Sequence, residues 1–216
     1  MQHLFLASQI TSVVNDIAHK LGVQVKKPGV YITTSFLYKS EKVHDWQIKH
    51  HASLVQAGFD LTDYDIAGKS EADIIRDLVG YEIMYVEGGN VAYLLQQAQQ
   101  NNFGEYVKNR VDEGMIYVSS SAGSVIMGPD ITSNGRPGKE AKDYGLTSTA
   151  GFGIVNFVVM PHWGAPEKKD AYLNYKIPNS YHEDYPYIFL SNHQYVEVEG
   201  EYSRIVTLQN NLWISH

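Results

Sequence analysis

One serine stands between very small neighbours, in Tyr117-Val118-Ser119-Ser120-Ser121-Ala122-Gly123-Ser124-Val125. A strand-like apolar run precedes it and a helical apolar pattern follows. That is the layout of a nucleophile elbow, where a tight strand-to-helix turn exposes the hydroxyl. The small flanking residues let the backbone come close to a substrate. The residue after the nucleophile, Ala122, would offer its N–H to an oxyanion. The plainer alternative is a serine-rich helix cap. Within the run, Ser119 and Ser120 belong to the strand end, and Ser121 directly precedes the small pair that starts the helix.

Gly88-Gly89-Asn90 follows another apolar run. Its glycines permit positive φ, and such a loop can turn N–H groups toward an anion. It reads either as the other half of an oxyanion hole, with Asn90 near the substrate, or as a strand-to-helix turn capped by Asn90. Met160-Pro161-His162-Trp163 places a histidine at the end of a further strand. A serine hydroxyl needs a base that is neutral near pH 7, and imidazole is suited to this. Nine histidines compete for that role. His3, His19, His44, His50, His51 and His182 sit in helical, exposed or terminal contexts and read as solvated. His193 rivals His162, and His216 is the last residue.

These residues need a scaffold that gathers strand ends. Leu4 to Ala7 is strand-like, and Val13, Val14, Ile17, Ala18 and Leu21 follow at helical spacing up to Gly22. Val30 to Thr34 is β-branched, 41–57 is amphipathic up to Gly58, and Phe59 to Ile66 alternates. Ser70-Glu71-Ala72-Asp73 resembles a capping box. Glu82 to Val86 predicts a strand, Val91 to Gln100 and Tyr106 to Val111 predict helices, and Met115 to Val118 a buried strand. The segment 129–149 reads as a long loop beside the site. Val155 to Met160, Tyr187 to Leu190, Tyr195 to Val198 and Arg204 to Leu208 predict strands, the last ones antiparallel at an edge. Alternating strands and helices imply βαβ crossovers and a mostly parallel sheet, in one α/β domain over residues 1–216. Parallel strand ends meet on one rim, where ligands bind.

Composition narrows the class. The 216 residues carry a formal charge of −7 and no long basic run, which argues against nucleic acid or an anionic membrane as partner. Without cysteine there is no disulfide, thiolate metal site or thiol nucleophile. The start, Met1 to Ala7, lacks the basic region of a signal peptide. A cytoplasmic enzyme needing no metal or cofactor is expected, with a homodimer as a possible assembly.

The Ser-Ser-Ala-Gly elbow, the Gly-Gly-Asn loop and the Pro-His-Trp segment together resemble the peptidase E family of serine peptidases. These are the α-aspartyl dipeptidases, with cyanophycinase as a relative. The order of the pieces matches over nearly the whole chain. The resemblance implies a flavodoxin-like three-layer α/β sandwich related to class I glutamine amidotransferases. It implies Ser121 as nucleophile, His162 as base, and the N–H groups of Gly89 and Ala122 as oxyanion donors. At two positions the chain departs from the family. Where the family has a Glu that orients the base, Asn192 stands in Leu190-Ser191-Asn192-His193. An amide oxygen can accept from the imidazole but adds no charge. Asp130 and Asp143 lie between Ser121 and His162, but neither fits in spacing. Where the family has an Arg for the substrate's carboxylate, Lys176 stands. Its ammonium lacks the two-pronged guanidinium geometry, so a strict Asp preference is not expected. The expected function is hydrolysis of small peptides by Ser-His catalysis. The alternatives are another acyl hydrolysis on the same scaffold, or a weakly active family member that binds a peptide or metabolite.

Overall fold

The structure, a computed structural model, describes residues 2–22, 27–36, 45–135, 141–181 and 183–208. Its frame is a seven-stranded sheet in the order β3-β2-β4-β5-β1-β8-β9. The strands are β1 (His3–Ala7), β2 (Pro28–Ile32), β3 (Asp60–Tyr64), β4 (Ile83–Val86), β5 (Ile116–Ser120), β8 (Gln194–Glu199) and β9 (Tyr202–Thr207). The first five are parallel; β8 runs antiparallel to β1, and β9 antiparallel to β8. This is the mixed α/β sheet that the alternating pattern predicts, with its antiparallel strands at the C-terminal edge.

The period of two along each strand divides the core into two layers. Leu4, Leu6, Val30, Ile32, Met84, Val86 and Tyr117 face one side. There they pack on α3 (Glu71–Leu78), α4 (Val91–Asn101), α5 (Phe103–Asp112) and α6 (Ala122–Val125). Phe5, Ala7, Tyr31, Ile83, Tyr85, Ile116 and Val118 face the other side. They meet α1 (Ile10–Leu21) and α2 (Asp45–Gln56). Burying both faces requires near-continuous apolar strands, and β4 reads Ile-Met-Tyr-Val with every residue buried.

Local chemistry sets the helix ends. Gly22 closes α1 in the left-handed conformation at φ 60°. Ser70 and Asp73 form a reciprocal capping box at the start of α3. Asn90 caps α4 by accepting from the N–H groups of Ala92 and Tyr93. Residues 41–44 of the expected second helix, like His44, His182 and His216, lie outside the described residues.

The second half differs from the sequence pattern in two ways. The strand expected from Val155 begins only at Val158, because the N–H groups of Ile154 and Val155 bond to the Met127 carbonyl instead. This strand, β6 (Val158–Pro161), then pairs in parallel with β7 (Tyr187–Leu190), as a small separate sheet. Between them runs a continuous helical stretch, Lys169–Ala171, a π-type turn Tyr172–Lys176, and Ile177–Ser180. The expected long loop after Pro129 is tied at its base by the bridge Asp130–Ala150 and holds short helical turns at Thr132–Asn134 and Ala141–Tyr144.

Candidate active site

Strand β5 delivers Ser121 into a turn that its L-configuration resists, at φ 48° and ψ −105°. Such a conformation costs about 1–3 kcal/mol and persists only where its surroundings fix it. The Ser121 N–H bonds to the Ala7 carbonyl, and the Ser121 carbonyl accepts from the N–H groups of Ser124 and Val125. The small neighbours are sterically required. A Cβ on Gly123 would lie 2.3 Å from the Val86 carbonyl oxygen, and one on Gly88 would lie 3.1 Å from the Ser121 Cβ. Ser119 and Ser120 are buried at the strand end. Ser119 is bonded to the Phe5 carbonyl and to Ser124, and Ser120 accepts the Ile10 N–H.

The histidine comes from β6. His162 follows Pro161 with φ 67°, another strained L-residue. Its N–H donates to Ser8 Oγ at 2.7 Å, and the Trp163 N–H donates to the Leu190 carbonyl. The ring then spans the gap. Nε2 lies 3.0 Å from Ser121 Oγ, and Nδ1 lies 2.7 Å from Asn192 Oδ1. An amide oxygen can only accept, so the proton sits on Nδ1 and Nε2 is left to accept from the serine hydroxyl. Ser8 Oγ donates to the same Asn192 oxygen at 3.4 Å. Burial pushes the His162 pKa below the ordinary imidazole value, and the charges of Lys168 and Lys176 add to this. The Asn192 hydrogen bond opposes them. His162 is therefore the neutral species near pH 7, the form a general base requires.

Opposite β5 from β1 and β8 lies β4, which ends in Glu87-Gly88-Gly89. Gly89 adopts φ 143°, and a Cβ there would lie 2.5 Å from the Ser35 carbonyl oxygen. Among the described residues, the N–H groups of Gly89 and Ala122 have no hydrogen-bond acceptor. Ser121, His162, Asn192, Gly88 and Gly89 line one cleft of about 360 Å³. A larger hollow of about 640 Å³, against β2, β3 and α2, contains none of the expected site residues.

Other expected residues fall elsewhere. Asn90 is a helix cap, buried, and does not line the cleft. Lys176 turns its ammonium to Asn134 Oδ1 at 3.0 Å, and burial first, then the Lys168 charge, pushes its pKa down to about 8. It influences the cleft by charge and is not part of its wall. Asp130 is engaged by the Thr132 N–H and the Thr149 hydroxyl, and Asp143 is exposed on the 141–144 turn. Neither lines the cleft. His193 likewise sits off the cleft wall.

His50 corrects the sequence reading. It is 7 % exposed instead of solvated, it lines the cleft, and its Nδ1 is 3.0 Å from the carboxylate of the fully buried Glu87. Helical context cannot reveal this, because the helix face that points at the cleft depends on how α2 docks. Ser8, Trp46, Glu167 and Lys168 also went unrecognised as neighbours of the site. Ser8 had one available signal, its place directly after a strand whose end reaches the ligand rim.

Among the described residues, one group of metal-ligand type, His3, Glu197 and Glu199, is close enough to share an ion. It is anchored at the start of β1 and in β8, away from the rim, and Glu197 is already held by Lys20 and Arg204. No described helix is long and apolar enough to cross a membrane.

An α/β sheet presenting a strained serine on its rim is the framework of a hydrolytic enzyme. Comparison with known proteins gives the family. The model of peptidase family S51 matches residues 11–206, and the chain belongs to that family of serine peptidases. It is 27% identical over 201 residues to an uncharacterized peptidase of Pasteurella multocida, covering 93% of this chain and 95% of the relative. It is 28% identical over 183 residues to peptidase E of a Nostoc species, covering 82% of this chain and 63% of that protein. A crystal structure of a Listeria monocytogenes protein assigned to peptidase E superposes with TM-score 0.84 at 24% identity, covering 97% of this chain and all of the other. A peptidase from an acI-B1 actinobacterium superposes with TM-score 0.70 at 14% identity, over 96% and 88% of the two chains. These structural matches support the fold.

Proposed function

We propose that this serine peptidase cleaves small peptides by Ser-His nucleophilic catalysis, with a relaxed preference for the first residue. The observation that carries the reading is the continuous chain Ser121 Oγ–His162 Nε2 at 3.0 Å and His162 Nδ1–Asn192 Oδ1 at 2.7 Å. Ser121 Oγ attacks the scissile carbonyl while His162 Nε2 takes its proton. The acyl–oxygen bond forms, and the developing oxyanion meets the N–H groups of Gly89 and Ala122. His162 then returns the proton to the leaving amine as the C–N bond breaks. Water, activated by the same imidazole, hydrolyses the acyl-serine. Asn192 holds the tautomer. It adds no charge to stabilise the transient imidazolium, and slower turnover than a carboxylate-backed site is expected.

Reaction with a fluorophosphonate probe tests the nucleophile. Wild-type protein should be labelled, Ser121→Ala should not, and His162→Gln should label at least a hundredfold more slowly. No labelling of wild type would point to a family member that binds without turnover, a reading favoured by the neutral Asn192. A panel of amides with Asp, Glu, Asn, Ala and Leu in first position then tests specificity. Turnover of simple esters and amides with no turnover of dipeptides would move the function to another acyl hydrolysis.

A further inference from the structure

The Gly88-Gly89 loop has glycine on both sides of one peptide bond, and the N–H of that bond is the proposed oxyanion donor of β4. Glycine has no Cβ to resist rotation, so this peptide can turn over unless a group outside the loop holds it. Ser35 is placed to hold it. It is 1% exposed and lies on the 3₁₀ turn Thr34–Phe36 that follows β2, the strand beside β4. The turn is itself anchored. The Thr34 hydroxyl donates to Asp65 Oδ1 at 2.7 Å and accepts the Ile66 N–H at 3.0 Å, just beyond the end of β3.

Ser35 grips the loop on both sides of Gly89. Its Oγ lies 2.7 Å from the Gly88 carbonyl oxygen and 2.9 Å from that of Glu87, and its own carbonyl accepts the Asn90 N–H at 2.7 Å. The hydroxyl has one hydrogen, and its shorter contact is to Gly88. The Glu87–Gly88 peptide has a second restraint, because the Gly88 N–H donates to Glu87 Oε1 at 2.5 Å. The Gly88–Gly89 peptide, among the described residues, has Ser35 alone.

A trans peptide is planar, with its C=O and N–H pointing in opposite directions. The described peptide bonds are all trans. Drawing the Gly88 carbonyl to Ser35 therefore turns the Gly89 N–H to the opposite side. Gly88 and Gly89 line the cleft and Ser35 does not, so the opposite side is the cleft. The other proposed donor, the Ala122 N–H, needs no such device, because it belongs to the first turn of α6.

We propose that Ser35 is a positioning residue, whose hydroxyl fixes the Gly88–Gly89 peptide so that the Gly89 N–H faces the cleft where the oxyanion forms. This rests on the serine peptidase reading above. Ser35 touches no reacting atom and acts through the Gly88 carbonyl. Without the hydroxyl the peptide divides between two orientations, and one of them turns a carbonyl oxygen toward the developing negative charge.

Gly88-Gly89 is the one Gly-Gly pair in the sequence. Protein grown with glycine isotope-labelled at its carbonyl carbon and its nitrogen therefore gives a single carbonyl-to-amide NMR signal, that of this peptide. The residual dipolar coupling of its N–H reads the direction of the bond. In wild type the coupling should match an N–H directed into the cleft, and a mismatch overturns the proposal without recourse to a variant. In Ser35→Ala the coupling should depart from the wild-type value. Its kcat on the best amide should fall at least tenfold, toward the loss of about 10²–10³ for one oxyanion donor, with KM within about twofold. Ser35→Cys keeps the shape and weakens the donor. It should fall between the two, and it carries the comparison if the alanine variant does not fold. An unmoved coupling in the folded variants overturns the proposal whatever the rate. A moved coupling with unchanged kcat overturns the role of Ser35 in catalysis. If wild type neither reacts with fluorophosphonate nor turns over a peptide, the serine reading fails, and the coupling still decides whether Ser35 sets the direction of the Gly89 N–H.

Discussion

At the scale of single residues, the site turns on how His162 is held. Its base form is favoured by burial, and its partner Asn192 orients it without charge. Asn192→Asp would put a carboxylate 2–3 Å from Nδ1, about where the amide oxygen now lies at 2.7 Å. An adjacent anion stabilises the imidazolium and raises the histidine pKa by roughly 1–3 units. As the proposed base, His162 must be neutral to act, so the acid limb of the kcat/KM profile should move to higher pH. The plateau rate should rise, because the transition state gains a counterion. A limb that stays in place would remove Asn192 from the site. Ser8 makes a separate residue-scale prediction. Its hydroxyl accepts the His162 N–H and donates to Asn192 Oδ1. Ser8→Ala leaves a strained backbone N–H without its acceptor. Labelling of Ser121 should slow roughly tenfold or more, in keeping with about 1–3 kcal/mol for an unmet buried donor. Ser8→Thr, which keeps the hydroxyl, should recover most of the rate. Equal rates for alanine and wild type would make Ser8 a bystander.

At the scale of elements, Ser121, the proposed nucleophile, reaches the cleft because β5, β4 and α6 approach one another more closely than side chains would allow. Gly123 stands at the narrowest point, where an added Cβ meets backbone, the Val86 carbonyl oxygen at 2.3 Å. Backbone cannot move aside as a flexible side chain can. Gly123→Ala should therefore push α6 off β4 and cost roughly 1–3 kcal/mol or more as overpacking. Urea unfolding would show a lowered midpoint, and the displaced Ser121 should lose labelling out of proportion to the stability lost. Retention of both would mean that α6 relaxes freely. Tyr117 supports the same junction from below, its buried hydroxyl donating to the Gly123 carbonyl at 2.8 Å.

At the scale of the whole molecule, the antiparallel edge is fastened to the parallel body by Glu197. It sits on β8 with 3% exposure and accepts from Lys20 of α1 at 2.8 Å and from Arg204 of β9 at 2.8 and 3.0 Å. The Tyr195 hydroxyl joins this group, accepting from Lys20 and donating to Asp16. Burial pushes the Glu197 pKa up, but the hydrogen bonds and charges of Lys20 and Arg204 outweigh it and hold the carboxyl below its ordinary range. A depressed carboxylate contributes stability that is present above the unfolded pKa of about 4.3 and is lost as pH falls through the folded value. Glu197→Gln should therefore lower the Tm at pH 7 and flatten its decline below about pH 4. An acid decline as steep as that of wild type would assign the pH dependence to other carboxylates.

The sequence by itself determined the local events. Strand positions, the Ser70 capping box, the Gly22 stop and the Asn90 cap follow from periodicity and side-chain chemistry within a few residues. So do the small-residue setting of Ser121 and the placement of His162 after a strand, since both are features of consecutive residues. What only the tertiary structure decided is which distant groups meet. Asn192 lies 30 residues beyond His162 and Ser8 lies 154 before it, and their approach depends on β8 pairing with β1. Lys176 and His50 both depart from their expected environments for the same reason. The π-type turn of 172–176 points Lys176 at Asn134, and the docking of α2 carries His50 to Glu87, 37 residues away. Residue type records what a side chain can do. Its partner is set by the summed burial of both faces of the sheet, which no short stretch of sequence contains.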